Sequence, residues 1–219
     1  MPIQLSGDIT FCETAGRLVF LDSARDRYFS LGGTAEHAFR QLWAGKAIDD
    51  CDAARLGRFG LLEPAETIVR PIQPPITAAP TRSALETGIY MAFRRQDLVQ
   101  TARALALAEW SLRRGFGPAL RRLAQRKAAL PATPDAAAPS PAELALAYHR
   151  HRSALPFRKI CLRDSLALLE LLTRHGARAD LVFGVKLDPF NAHCWVQAGE
   201  VVLSDALDVA LAHQPIRVV

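Results

Sequence analysis

The run "FNAHCWVQAGEVVLSD", Phe190 to Asp205, gathers a histidine, a cysteine and an aspartate into one short stretch. A histidine facing a carboxylate is half of the device that hydrolytic enzymes use to activate a thiol or hydroxyl. The pattern sets the two face to face. "AHCWVQ" and "VVLSD" read as β-strands rich in Val, Leu and Trp, with Gly199 between them. With a loop of Ala198-Gly199-Glu200, Gln197 stands opposite Val201 and His193 opposite Asp205. Directly opposed residues have Cβ atoms about 4.5–5.5 Å apart, within reach of an imidazole–carboxylate contact. A slip of one residue would put the pair on opposite faces. Side chains alternate along a strand, so His193, Trp195 and Gln197 share one face and Cys194 points to the other. Cys194 is therefore a poor nucleophile candidate, and its replacement by alanine is expected to retain most activity.

The thiol must come from elsewhere. "ICLRDSLALLELLTRHG" reads as a helix from Cys161 to His175, ended by Gly176. Its leucines, at 162, 166, 168, 169, 171 and 172, cover most of the circumference, which marks a buried helix. Cys161 sits in the first turn, just after the basic "FRK". The partial positive charge of a helix N-terminus, with an imidazolium beside it, lowers a thiol's pKa and raises its thiolate fraction. The free N–H groups there can also stabilise an oxyanion. Cys12, in a strand, and Cys51, in a short helix, are read as small core residues. Taken singly, Cys161 and His193 are equally at home as packing residues. Their combination is more specific: a cysteine opening a buried helix, the central strand "ADLVFGVKL", then His193 and Asp205 across a hairpin. Asp208 is the second choice of carboxylate.

These residues need a scaffold, and 219 residues suit one large or two small domains. Half of the chain is hydrophobic, with no long uncharged apolar run that would span a membrane. The start, "MPIQLSGDITF", lacks the basic and apolar regions of a signal peptide. Four cysteines without CxxC spacing argue against a zinc site or a disulfide framework, so a cytoplasmic location is expected.

Two proline-rich runs, Arg70 to Ser83 and Leu130 to Glu143, read as linkers. Before the first, "GRLVFLDSARDRYFSL" is a hairpin around Ser23 to Asp26. A helix capped by Thr34 follows, then a second over Asp50 to Arg58, giving a small winged-helix-like unit. "DLVQTARALALAEWSLRR" and "GPALRRLAQRKAAL" form a helical middle. A further helix opens with Ser140 as cap and Pro141 in its first turn. The whole is α+β, with domains expected at 1–80 and 81–219. The net charge of +5 is uneven. Residues 1–80 hold 8 basic against 10 acidic side chains, residues 81–127 hold 10 against 3, and the remainder 9 of each. With its small first unit net acidic, the chain is not expected to bind nucleic acid.

The run from Cys161 to Asp205, with its order Cys, His, Asp and its "DPF.AH.WV" pattern, resembles the transglutaminase-like cysteine peptidase of lasso-peptide maturation, the B protein. The "LVFLD…RYFSL" hairpin and helix resemble the small precursor-recognition domain of ribosomal peptide pathways, so the chain looks like the fused form. The resemblance covers about residues 5–66 and 140–210 and implies a papain- or transglutaminase-like peptidase domain. It makes Cys161 the nucleophile, His193 the general base and acid, and Asp205 the orienting carboxylate. It implies cleavage of a precursor's leader from its core, with no metal or organic cofactor. It also implies two partners, the precursor peptide and the ATP-dependent lasso cyclase. The leader is expected on the strand edge at Arg27, Tyr28, Phe29 and Leu31, by β-strand addition. The alternatives are an acyltransferase using the same three residues and a non-catalytic precursor-binding scaffold.

Overall fold

The structure, a computed structural model, describes residues 3–64, 72–89, 91–131 and 138–219. It divides into two compact units, Met1–Pro75 and Ile76–Val219.

In the first unit, alternating apolar residues build an antiparallel sheet of β2 (Ile9–Thr14), β3 (Arg17–Asp22) and β4 (Arg27–Phe29). Ala15 and Gly16, both at positive φ, make the tight turn between β2 and β3. The buried Asp22 carboxylate closes the next turn by accepting from the backbone N–H groups of Ala24 and Arg25. Helices α1 (Gly33–Trp43) and α2 (Asp50–Arg58) follow. A short β5 (Leu62–Pro64) returns to pair with β1 (Ile3–Leu5). Phe39 of α1 meets Phe11 and Phe20 edge to face, at centroid separations of 4.9 and 4.8 Å. Two expectations need correction. Gly32, not Thr34, occupies the cap of α1, because Gly33 at φ +53° turns the chain into the helix. Cys51 is exposed, because Leu56 is the buried residue of α2.

The second unit holds a five-stranded sheet in the order β10-β7-β8-β9-β6. Its strands are β6 (Arg82–Ser83), β7 (Asp180–Lys186), β8 (Asn191–Ala198), β9 (Val201–Val202) and β10 (Gln214–Val218). Pairing is antiparallel throughout except between β6 and β9. The proline-rich run read as a linker therefore ends inside this sheet, as its edge strand. On one face, α6 (Cys161–Arg174) packs against β8. Behind it lie α3 (Arg95–Arg113), α4 (Phe116–Ala128) and α5 (Pro141–Arg152), the last opened by a Ser140–Glu143 capping box. On the other face, Trp195, Val182 and Val202 pack on Ala210 of α7 (Leu207–Leu211).

The excess charge of the middle segment is partly used internally. Arg126 pairs with Glu170, and Lys127 with Asp180. Arg114 stacks 3.6 Å over the exposed ring of Trp110, and Arg122 lies 5.2 Å from the same ring.

Gly184 sits opposite His193 in the β7–β8 ladder. A Cβ there would stand 2.7 Å from the Trp195 ring and 2.8 Å from the Cβ of His213. Trp195 is buried and its indole N–H donates to Gln197 Oε1 at 3.0 Å, so the ring has no easy exit. Gly184→Ala should therefore destabilise the protein by about 1–3 kcal/mol. Thermal unfolding measures this, and an unchanged midpoint would mean that the ring relocates freely.

Candidate functional site

Cys161 is the first residue of α6, with Ile160 in the cap position at extended φ and ψ. No side chain caps the helix through Ile160, so its first-turn N–H groups face outward. The sulfur lies over β8, close to the His193 ring and to the thiol and backbone of Cys194. His193 Nε2 lies 3.1 Å from Asp205 Oδ2, off the line of an ideal N–H···O bond but within ion-pair range. With Nε2 turned to the carboxylate, Nδ1 is the nitrogen left for the sulfur. The three side chains border an open cleft of about 300 Å³, together with His149, Lys159 and Ser204.

The hairpin that presents Asp205 does not have the expected register. Gln197 pairs with Val202 rather than Val201, so the turn is two residues long. Continued, that ladder would set Cys194, not His193, against Asp205. The contact forms because β9 stops at Val202 and the chain bends away. Leu203 N–H still donates to Val196 O, but the next ladder position is filled by a side chain, Ser204 Oγ, which accepts from Val196 N–H. Ser83 Oγ then donates to the Asp205 carbonyl at 2.6 Å. A bend between two serines thus corrects a one-residue slip.

The alternation along β8 is as expected. The His193 and Trp195 rings are roughly parallel at 6.5 Å, and Trp195 bonds Gln197. The contact that Cys194 makes with Cys161 is not expected from that alternation. The Cys194 face of the strand is the one on which α6 packs, so the buried Cys194 thiol meets Cys161 and lies 4.0 Å from Ser165 Oγ.

These contacts set the charge state. The Cys161 thiol is pulled down to about 4, first by the Cys194 thiol as donor and next by His193. His193 is raised to about 9, by the Asp205 carboxylate first and the Cys161 sulfur second, against the opposing effect of burial. Between these values the site is a thiolate–imidazolium pair. The hydrogen bond to the Cys161 sulfur, and next to it burial, drives Cys194 well above its ordinary value, so it stays a thiol and can donate. His149, lowered by burial, stays neutral and reaches the Leu203 carbonyl at 3.1 Å.

A second cluster, not anticipated from the sequence, holds the segment before Cys161. Arg152 is buried, pairs with Asp164, and donates to the carbonyls of Phe157 and Arg158 at 3.1 Å each. Asp164 Oδ2 accepts from Ile160 N–H at 2.7 Å, and Tyr148 Oη donates to the Asp164 carbonyl at 3.1 Å. The sequence signal was Asp164 in the first turn of a buried helix. The distant Arg152 left no signal.

Of the strand residues in the first unit, Leu31 is buried in the core, and Phe29 stacks on Phe20 at 5.2 Å. Arg27 pairs with Asp22. Leu31 is thus not available to a ligand. What the sheet edge presents is the backbone of β4, with Tyr28 half-exposed. Among the described residues, no group of three or more His, Cys, Asp and Glu is placed to hold a metal ion, and no helix is long and apolar enough to cross a membrane.

The charge states give a direct expectation. Thiolate requires a pH above about 4 and imidazolium a pH below about 9, so alkylation of Cys161 should show limbs near those values. Removing the donor in Cys194→Ala should move the acid limb up by roughly one to two units, the worth of a hydrogen bond to a charged group. Cys194→Ser should keep most of the shift. Thiolate absorbance at 240 nm follows the titration, and identical acid limbs in all three proteins would show that Cys194 has no such effect.

A sequence profile of the Transglutaminase-like superfamily matches residues 104–218. Among curated proteins, the microcin J25-processing protein McjB of Escherichia coli is 42% identical over 50 residues, covering 23% of this chain and 24% of that protein. The chain therefore matches about a quarter of that relative's length. No solved structure matches at a significant level. The profile runs from α3 into β10 and takes in α6, β8 and the bend at Asp205. Because it covers more than half of the sequence, including every residue of the Cys161–His193–Asp205 arrangement, the chain belongs to the transglutaminase-like superfamily.

Proposed function

We propose that the protein is a cysteine peptidase that cuts the leader from a lasso-type precursor peptide. The observation that carries this reading is the contact of Cys161 with a His193 that is itself paired to Asp205 at 3.1 Å. The partial likeness to a microcin J25-processing protein supplies the substrate class. In the proposed reaction the Cys161 thiolate attacks the amide carbonyl. The oxyanion forms beside the N–H groups at the start of α6. The His193 imidazolium gives its proton to the departing amine, which is the new N-terminus of the core. The remaining thioester is attacked by water, whose proton His193 takes, and Cys161 leaves as thiolate. Asp205 holds the imidazole in place and stabilises its charge. No step requires a metal or organic cofactor.

The β4 edge of the first unit supports a role in leader binding, since an extended peptide can add a strand to the edge of a sheet. The ATP-dependent cyclase that would close the ring is the second proposed partner. Arg114 and Arg122, held against Trp110, would suit contact with carboxylates on such a partner.

Cys161→Ala and His193→Ala should each abolish cleavage while leaving leader binding intact. Asp205→Asn should slow it by about 10²–10⁴-fold. Asp208→Asn should have little effect, because the Asp208 carboxylate accepts from Val209 N–H at the start of α7. Mass spectrometry of the released leader gives the outcome. A free carboxylate supports hydrolysis, whereas quantitative capture by an added amine would establish the acyltransferase reading. Activity retained in Cys161→Ala would refute both.

Leader binding is checked on the full-length Cys161→Ala protein by hydrogen exchange. Added leader peptide should slow exchange of the Arg27–Phe29 amides, and protection confined to other segments would move the recognition site.

A further inference from the structure

The segment 157–160 and the first turn of α6 stand between two clefts. One is the cleft that Cys161, His193 and Asp205 line. The other is a groove of about 420 Å³ on the far side, bordered by Phe157 and Arg163 and floored by Ala102, Leu105 and Ala106 of α3. Its volume lies in the range of pockets that hold ligand groups, roughly 300–1,000 Å³. Two alanines and a leucine make an apolar floor with room above it. Phe157 leaves 57% of its surface open, and Ile160, next to Cys161, leaves 46%. The charges on the rim largely satisfy one another. Glu109 accepts from Arg113 at 3.2 Å and lies 3.9 Å from Arg163. Charge therefore does little to select the occupant, and apolar area decides.

The rim is also fixed in place. Arg152 holds the carbonyls of Phe157 and Arg158, Arg163 donates to the Arg158 carbonyl, and Asp164 holds Ile160 N–H. The side chains of Phe157 and Ile160 take no part in these bonds. Such a rigid backbone with exposed apolar side chains beside a reactive sulfur is suited to grip a chain that crosses it.

We propose that this groove is a specificity subsite, which takes one aliphatic or aromatic side chain of the peptide substrate a few residues from the bond that Cys161 attacks. The proposal rests on the peptidase reading above. A polypeptide laid over the 157–161 ridge, with its scissile carbonyl at Cys161, carries a neighbouring side chain down into the groove. Burial against Phe157, Leu105 and the two alanines favours apolar side chains and disfavours Gly, Ser and Asp. A pocket of this kind discriminates by at least about tenfold.

The groove can be filled from outside. Ala106 is exposed and lies within a helix, so Ala106→Trp adds bulk to the groove without entering the core. Full-length wild type and variant are each given a mixed synthetic peptide library, and the cut sites are read by mass spectrometry. Wild type should show at least a tenfold enrichment of Leu, Ile, Val, Met, Phe or Trp at one fixed distance from the cut. Ala106→Trp should lose that enrichment while iodoacetamide alkylates Cys161 at the wild-type rate. Indistinguishable cut-site profiles, or a wild-type profile with no apolar preference, would overturn the subsite and leave the peptidase reading standing. A wild type that cuts no peptide in the library, with Cys161 alkylated normally, would overturn both.

Discussion

The packing of α6 across β8 is the contact on which the site depends. It brings a helix N-terminus against a strand edge, so one sulfur reaches two successive strand residues that point to opposite faces. From His193 it gains an opposite charge, and from Cys194 a hydrogen-bond donor that the bond to this sulfur and burial together keep protonated. Both favour thiolate over thiol. An isolated thiol would be mostly protonated at neutral pH. Here the low value follows from packing as much as from any single charge.

The carboxylate reaches His193 through a local departure from regular structure. A longer β9 in the observed register would carry Asp205 past Cys194. Stopping the ladder after Val202 would leave backbone groups unpaired, and the hydroxyl of Ser204 takes up one of them. Ser83 fixes the other side of the bend, from a strand contributed by the end of the proline-rich run. The segment before Cys161 is held in a comparable way. Arg152 and Asp164 together engage two carbonyls and one N–H of residues 157–160. A buried ion pair contributes little net stability when it replaces apolar packing, but it fixes geometry. At this position geometry matters, because the next residue is Cys161.

The neutral His149 near the same cleft illustrates how environment sorts chemically similar groups. Burial lowers it and its nitrogen is tied to a carbonyl, while His193 is raised by a carboxylate and a sulfur. The two histidines are therefore in different charge states over much of the neutral range. Only one of them contacts the thiol.

Much of this was legible in the sequence. The leucine pattern after Cys161 requires a buried helix starting near that residue, and Gly176 at positive φ ends it. Period-two alternation places His193, Trp195 and Gln197 on one face of β8, and a glycine turn brings Asp205 back towards it. Ser140, Pro141 and Glu143 specify the start of α5 by chemistry confined to four residues. These are local rules, in which the deciding interactions lie within a few residues. The remainder was decided by interactions between distant segments. Which face of β8 receives α6 cannot be read from the alternation, and it placed Cys194 beside Cys161. The register of the last hairpin turned on one residue of loop length, and Ser83, more than a hundred positions away, helps to hold the bend that compensates. Arg152 and Ser83 carry no periodic or motif signal, because what makes them matter is the backbone group each meets after folding. Leu31, on a segment read as a binding edge, went to the core because a strand that ends against α1 can bury a side chain there. Pattern determined the elements and the chemical groups on them, whereas tertiary packing decided which groups touch.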